Sequence, residues 1–509
     1  MNSSERSLSV WKDTLQPLAF APLAADTTAD VCVVGGGIAG LTTAYLLARE
    51  GRGVVLLERT TIGGGESGQT SAHLSSEMDD YYHEIERMHG REGARLAYES
   101  HQAAIERIGS ICEAEDIGCE YTRTDGFLFL APGDDPELLG RELEAATRAG
   151  FTGVQRLSRI PVEFWDSGPC LRFPDQAQFH PMRYLHGLAH AAVRAGVRIH
   201  TGTEVSGHPA GGSPVRIETT GGAAVTAGRA VIATNYPISS WLGIVPKLAP
   251  YRTFIVGLRI PAGSVPRWLY WDTAEPYHYV RVASGRSAGD EVLIVGGEDH
   301  RTGQSDDAIL RFDRLQAWAR ERFPMVAETL YQWSGQVQEP ADAMAYIGPH
   351  PGEENLFVIT GDSGQGLSHG TLGGILISDL IAGRDNHWLR LYDPGRSGLA
   401  APGEMAIENL NTVSQYRDLV LRSDADSVDE IAPGAGAVVR RGLKPVAVYR
   451  DAKGALHERS ALCTHMQCVV RWNTRERSWD CPCHGSRFSP SGDVLTGPAN
   501  HPLQPVEAE

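Results

Sequence analysis

Near the start of the chain, the apolar run Val31–Val34 meets Gly35-Gly36-Gly37-Ile38-Ala39-Gly40, which passes straight into the helix-forming stretch LTTAYLLARE. A second apolar run, Val54–Leu57, follows and ends in Glu58. Strand, glycine turn, helix, strand and acid in this order commit the region to a β-α-β unit that binds a dinucleotide. Gly35 permits the tight turn. Gly37, with Ile38 and Ala39, brings backbone N–H groups close to a pyrophosphate at the helix N-terminus, and Gly40 lets the helix lie against the strand. Glu58, followed by Arg59, can accept hydrogen bonds from a ribose diol. A glycine pattern alone is weak evidence, but the flanking elements argue against a merely glycine-rich turn.

The chain, at 509 residues, is too long for one such unit. Residues 76–115 carry helix-spaced apolar positions, 181–205 read as a helix running into a strand, and Ala224–Thr234 as a further strand. Residues 250–300 are richer in strand patterns, a helix follows at 305–322, and 355–383 read again as strand, glycine loop and helix. Nucleotide-type units at about 28–75, 181–240 and 340–385 thus flank a β-rich interior. The expected fold is an α/β nucleotide-binding domain with an inserted β-rich substrate domain over residues 1–390. Residues 391–430 read as a connector, with turn residues from 384 onward placing it on the surface. Residues 431–509, with short strand-like runs between turns, read as a small all-β domain. The net charge of −17 argues against nucleic acid and anionic membrane as partners. No apolar run is long enough to span a bilayer, and MNSSERSLSVWKDTLQPLAF shows no leader pattern, so a cytoplasmic protein is expected.

Four of the eight cysteines, Cys32, Cys112, Cys119 and Cys170, are scattered and read as small buried hydrophobes. The other four are concentrated. Cys463-Thr464-His465 is C-x-H, and Cys481-Pro482-Cys483-His484 contains C-x-x-H. Two cysteines and two histidines suit either zinc or a [2Fe–2S] cluster. The surroundings favour the cluster: CTHMQC and CPCHGSRF resemble the two loops of Rieske proteins, and Gly497-Pro498-Ala499 resembles their proline loop. The resemblance implies Cys463 and Cys481 on one iron, and His465 and His484 on the other. It also implies a disulfide between Cys468 and Cys483, with two reduced thiols as the alternative. Too few residues follow His484 for the iron domain of a Rieske oxygenase. Respiratory Rieske proteins place a serine and a tyrosine hydroxyl beside the cluster; here Ser486 is in the serine place and Phe488 in the tyrosine place, which predicts a lower potential.

The glycine motif lies at the front of a stretch, about residues 30–385, that resembles the D-amino-acid oxidase and glycine oxidase superfamily. Ile62–Leu74, with Thr70, Ser71 and Ala72, is similar to its flavin loop. Thr203-Glu204-Val205 resembles the strand whose backbone, at Val205, meets the adenine. Ala230–Thr234, with Ala233 and Thr234, resembles the third nucleotide strand. Gly361–Gly374, with Gly361, Gly364, Gly366 and Leu367, is similar to the loop and helix closing over the flavin. The resemblance implies FAD. Non-covalent binding is expected, because no cysteine lies between Cys170 and Cys463 and His73 is displaced from the attachment position of some relatives.

Candidate pocket residues are His73, Tyr251, His278, Tyr279, Arg281, Trp333, Gln336 and His369. Gln336 falls near the place of an arginine that grips a substrate carboxylate in glycine oxidase-like members, and glutamine cannot replace that bidentate pair. The expected activity is oxidation of a C–N bond in an amine or amino-acid-type substrate, with electrons leaving through the cluster to a soluble carrier or quinone. Two alternatives stand. One is an oxidase with a structural or regulatory cluster. The other is a non-metabolic electron-transfer module, disfavoured because there is no second G-x-G-x-x-G for a nicotinamide nucleotide.

Overall fold

The computed structural model describes residues 8–207, 209–238, 244–287, 289–396, 403, 410–412 and 414–506. The glycine motif folds as its sequence dictates. Thr27–Val34 pairs in parallel with Val54–Leu57, Val31 opposite Val54 and Val34 opposite Leu57. The intervening helix Ile38–Arg49 buries Leu41, Ala44, Tyr45 and Leu47. A sheet grows around this pair in the order Tyr346–Pro349, Leu356–Thr360, Ala224–Asn235, Thr27–Val34, Val54–Leu57, Arg198–His200, with Val215–Glu218 added beside Ala224–Asn235. Val31–Val34, Val54–Leu57 and Leu356–Ile359 are buried apolar runs, as parallel strands covered on both faces must be.

A second sheet walls off the other side of the core. Its order is Thr329–Pro340, Leu248–Pro261, Asp290–Arg301, His278–Ser284, Leu269–Asp272, Thr122–Phe129, Cys170–Gln178 and His73–Leu74. The period-two alternation of Leu248–Pro261 sets its two faces. Phe254, Val256, Leu258 and Ile260 pack with Phe312, Leu315 and Ala319 of the helix Ala308–Arg322. Ile255 faces the opposite way, into the core shared with the nucleotide sheet.

The stretch from 384 departs from its surface reading at its beginning. Trp388, Leu391 and Tyr392 are buried, and Arg396 makes a bidentate ion pair with the buried Asp342. The apolar residues of this short segment fill the end of the core rather than bridging solvent. Cys32, Cys119 and Cys170 are buried; Cys112 is half-buried, its sulfur 3.3 Å from that of Cys119.

The C-terminal part is two small antiparallel sheets. One is Gly436–Arg441, Lys444–Arg450 and Leu456–Ser460; the other is Arg471–Asn473, Ser478–Asp480, Arg487–Phe488 and Val494–Thr496. Val438, Val469, Trp472, Trp479 and Phe488 form its core. No helix among the described residues is long and apolar enough to cross a membrane.

Candidate functional site

Two loops carry the clustered cysteines and histidines. The first is closed by Cys463 N–H donating to Cys468 O at 2.8 Å, and the second by Cys481 N–H donating to Ser486 O at 2.8 Å. Cys468 and Cys483 are joined in a disulfide, so the spare cysteines tie the loops together. Cys463 and Cys481 take no part in the disulfide, and each is 1% exposed. The contact between them lowers the Cys463 pKa and raises that of Cys481. The rings of His465 and His484 lie 5.0 Å apart and nearly perpendicular. Burial, then the neighbouring His465, push His484 down to about 3, and its Nδ1 is buried without a partner. A neutral imidazole with an orphaned nitrogen beside two buried sulfurs is a donor set for the His₂Cys₂ cluster. Ser486 Oγ accepts from Ala499 N–H of the proline loop at 3.0 Å, and Phe488 is fully buried.

A cavity of about 920 Å³ runs from the glycine turn to the start of the helix Gly366–Ile381. It is lined by Gly35, Gly37, Ile38, Ala39, Glu58, Arg59, Thr70, Ser71, Val205, Ala233, Thr234, Gly364, Gly366 and Leu367. Gly35 has a φ of +117°, and a Cβ there would stand 2.2 Å from Ala233 O. Only glycine allows this turn to press against the third nucleotide strand. Neither Gly37 nor Gln365, the residues capping the two helices that point here, supplies a side-chain cap. Two helix N-termini with N–H groups to spare suit a pyrophosphate and a flavin carbonyl edge. Glu58 has a local task besides any ribose: Oε2 accepts from Gly36 N–H and Oε1 from Thr60 N–H, both at 2.7 Å. Gly40, Ala72 and Gly361 stand behind the lining: a Cβ on Gly40 would meet Gly35 O, Ala72 O holds Arg281, and Gly361 packs under Pro340 and Leu248.

Of the candidate pocket residues, His73, Tyr279, Gln336 and His369 line the cavity. His73 Nδ1 lies 3.0 Å from Ser71 Oγ and Nε2 lies 3.1 Å from Val280 O. Burial, then Arg281, hold it down to about 3, so the ring is neutral and its Nε2–H is donated to the carbonyl. Tyr251, His278, Trp333 and Arg281 do not line the cavity. Arg301 covers the Tyr251 ring, and His278 turns away to pair with Asp272 and stack on Trp318. Trp333 Nε1–H donates to Gln69 O at 2.9 Å. Arg281 donates to Ala72 O at 2.5 Å and Phe179 O at 3.1 Å and lies over the Trp11 ring. Burial pulls it down to about 9. Arg281 and Trp333 therefore hold the flavin-loop backbone from behind.

Sequence reasoning missed two contributors. The first is the segment before the first strand. Ser9 Oγ donates to Gly68 O at 2.5 Å, Trp11 Nε1–H to Thr70 O at 2.7 Å and Lys12 Nζ to Gly64 O at 2.8 Å, stapling the 62–72 loop. No periodicity signals it.

The second contributor is the C-terminal domain itself. Tyr449, Arg475, Arg477, Pro490, Leu495 and Thr496 also line the cavity. The hairpin tip between Arg471–Asn473 and Ser478–Asp480 lies on the outer edge strand Thr329–Pro340. There Glu476 takes up the buried Arg252 at 2.5 Å and also bonds Ser334 and Arg487. Arg59 donates to Val494 O at 3.3 Å and to Leu495 O at 2.5 Å. Gln336 joins the two centres. Its backbone N–H donates to Glu66 of the flavin loop at 2.8 Å, and its Nε2 donates to Gly485 O of the second cluster loop at 3.0 Å. Gly485 has a φ of +75°, and a Cβ there would stand 2.5 Å from Pro250 and 2.7 Å from Gln336 Nε2. The His465 ring is 6.4 Å from that of Tyr236, which also lines the cavity.

The FAD dependent oxidoreductase family, DAO, matches residues 30–380, and the Rieske [2Fe-2S] domain family matches residues 423–507. The chain is 30% identical over 505 residues to YhfW of Bacillus subtilis (strain 168), a protein named for a Rieske 2Fe-2S iron-sulfur centre; the match covers 98% of this chain and 97% of that one. It is 27% identical over 387 residues to gamma-glutamylputrescine oxidoreductase of Escherichia coli (strain K12), covering 72% and 86%. The crystal structure of glycine oxidase from Geobacillus kaustophilus shares the fold, with a TM-score of 0.61 at 21% identity over 73% of this chain and 99% of that one. The chain belongs to the FAD dependent oxidoreductase family: it is an FAD-binding oxidoreductase that carries a Rieske [2Fe-2S] domain.

Proposed function

We propose that the protein oxidises a C–N bond of an amine or amino-acid-type substrate and that the electrons leave through the Rieske cluster to an external acceptor. When bound, FAD takes a hydride from the carbon of the C–N bond, and the cluster carries electrons one at a time. The observation that carries the reading is Gln336, which reaches from the flavin loop at Glu66 to the cluster loop at Gly485.

The residues divide the work. Gly35, Gly37, Ile38, Ala39, Glu58 and Arg59 would hold the nucleotide half of FAD with Val205, Ala233 and Thr234, with Gly40 packed behind them. Thr70, Ser71, Gly364, Gly366 and Leu367 would hold the flavin half without covalent attachment, with Ala72 and Gly361 supporting them from behind. Cys463 and Cys481 hold one iron, and His465 and His484 the other. Neutral His73 cannot repel an incoming amine. Similarity to an oxidoreductase named for gamma-glutamylputrescine, an amine, agrees with this reading.

Stopped-flow and steady-state measurements test it. His484→Cys should slow turnover with a one-electron acceptor at least tenfold more than it slows anaerobic bleaching of the flavin band by an amine. Equal turnover in a variant that has lost the Rieske electron paramagnetic resonance signal would overturn the electron route.

A further inference from the structure

Part of the cavity is neither nucleotide-like nor built for a carboxylate. Glu77 and Asp79 line it together with Trp271, Tyr277 and Tyr279. These residues form one contiguous wall. Tyr277 Oη donates to Asp79 Oδ2 at 3.3 Å, the Tyr277 and Tyr279 rings are 5.6 Å apart, and His73 lies edge-on to both Tyr279 and Trp271. Glu77 is 1% exposed, and its Oε1 has no hydrogen-bond partner. The Trp271 indole lies beside it, but Trp271 Nε1 is likewise left without a bond of normal geometry. Burial, then Asp79, raise the Glu77 carboxyl well above its usual range, and burial, then Asp80, push Asp79 up to about 7.

The cationic side chains that line the cavity are engaged elsewhere. Lys12 is on Gly64 O, Arg59 on the strand Val494–Thr496, Arg475 on Gln332, Arg477 on Tyr449, and Arg487 on Asp480 and Glu476. Arg281 lies behind the wall, and Gln336 is committed to Gly485. Among the described residues, nothing beside Glu77 and Asp79 offers a fixed positive charge to a substrate carboxylate.

Buried carboxyls without a counter-ion are costly when ionised, and each gains most from an arriving cation. Aromatic faces around them add attraction for an ammonium group. We infer that this wall binds a protonated amino group remote from the C–N bond being oxidised, so that the substrate class is an aliphatic di- or polyamine rather than an α-amino acid. This inference rests on the proposed C–N oxidation. In that step the substrate loses a hydride from carbon to bound FAD and a proton from nitrogen to solvent, leaving an imine. The reacting nitrogen is neutral; the distant one keeps its charge on Asp79 and Glu77.

The test is anaerobic reduction of the holoprotein's flavin by 1,4-diaminobutane, butylamine, 4-aminobutanoate and alanine. The diamine should half-saturate at a concentration at least tenfold below that of butylamine, with 4-aminobutanoate weakest of the three amines of this length. Asp79→Asn should bring the diamine to the level of butylamine. If that variant fails to retain flavin, Tyr277→Phe serves in its place. Tetramethylammonium, which has no nitrogen lone pair and cannot be oxidised this way, should perturb the wild-type flavin band and compete with the diamine. Reduction by butylamine or alanine as readily as by the diamine would overturn the cation site while leaving C–N oxidation standing. If no amine reduces the flavin, C–N oxidation itself falls, and the substrate class with it.

Discussion

Asp79 illustrates how a single residue can be set against the fold that holds it. Its carboxyl is raised to about 7 by burial first, with Asp80 and Asp299 adding to the shift and Tyr277 and Gln365 opposing it. A carboxyl whose folded pKa exceeds its unfolded value near 3.9 favours folding most below that unfolded value. That contribution is lost as pH rises through the folded value. Asp79→Asn removes the titration. Its melting temperature should exceed that of the wild type by a few degrees at pH 8, on the scale of ~1 kcal/mol, and by less at pH 5. A difference that does not grow with pH would remove Asp79 as a destabilising charge. Such a gain in stability at the expense of binding is the usual trade-off at a functional site.

At the level of elements, the hairpin tip is the piece most dependent on one side chain. Glu476 stands between Arg252 and Arg487, which are 3% and 10% exposed at the side chain. Removing it by Glu476→Ala leaves two buried guanidinium groups short of their anion, a change that typically costs ~3–5 kcal/mol. The expected outcome in urea is a lower midpoint, with loss of the cluster's visible band at lower urea than loss of helical signal. A midpoint within ~0.5 kcal/mol of wild type would mean that Asp480 alone suffices for Arg487.

Elements were legible where their cause is local. The strand, turn, helix and acid of 27–58 follow from residues within one β-α-β unit, and the two cluster loops from residues a few positions apart. Contacts between distant residues were not. Gln336 and Gly485 are 149 positions apart, and Ser9 and Gly68 are 59 apart. Sequence reading found Gln336 unsuited to gripping a carboxylate, and the structure supplies what it does instead. It misjudged Arg281, because a cation near a pocket and a cation behind its wall have the same sequence signature.

The molecule as a whole keeps its two cofactor regions under one roof. The C-terminal domain lines the same cavity as the glycine turn, so separating the two should loosen the nucleotide. Gly303, which packs on the backbone of the second cluster loop, tests this. It has a φ of +71°, and a Cβ there would stand 2.9 Å from Asp480 O and Pro482 N. Gly303→Val should push the C-terminal domain off. The expected result after gel filtration is at least a twofold loss of flavin per chain; full flavin retention would mean that the cavity closes without that domain. The contacts across this boundary are polar: hydrogen bonds to backbone carbonyls from Arg59, Gln304 and Gln336, the Arg252–Glu476 ion pair, and the bonds of Thr474 to Asp306. As separate chains, partners meeting through so polar a surface would part on dilution. Joined through a segment whose first residues are packed into the core at Tyr392 and pinned by Arg396, the second domain faces its site at an effective concentration set by tether length, of millimolar order for short linkers. Docking then needs only enough free energy to orient the domain, and the boundary can stay hydrophilic and still be occupied nearly all the time.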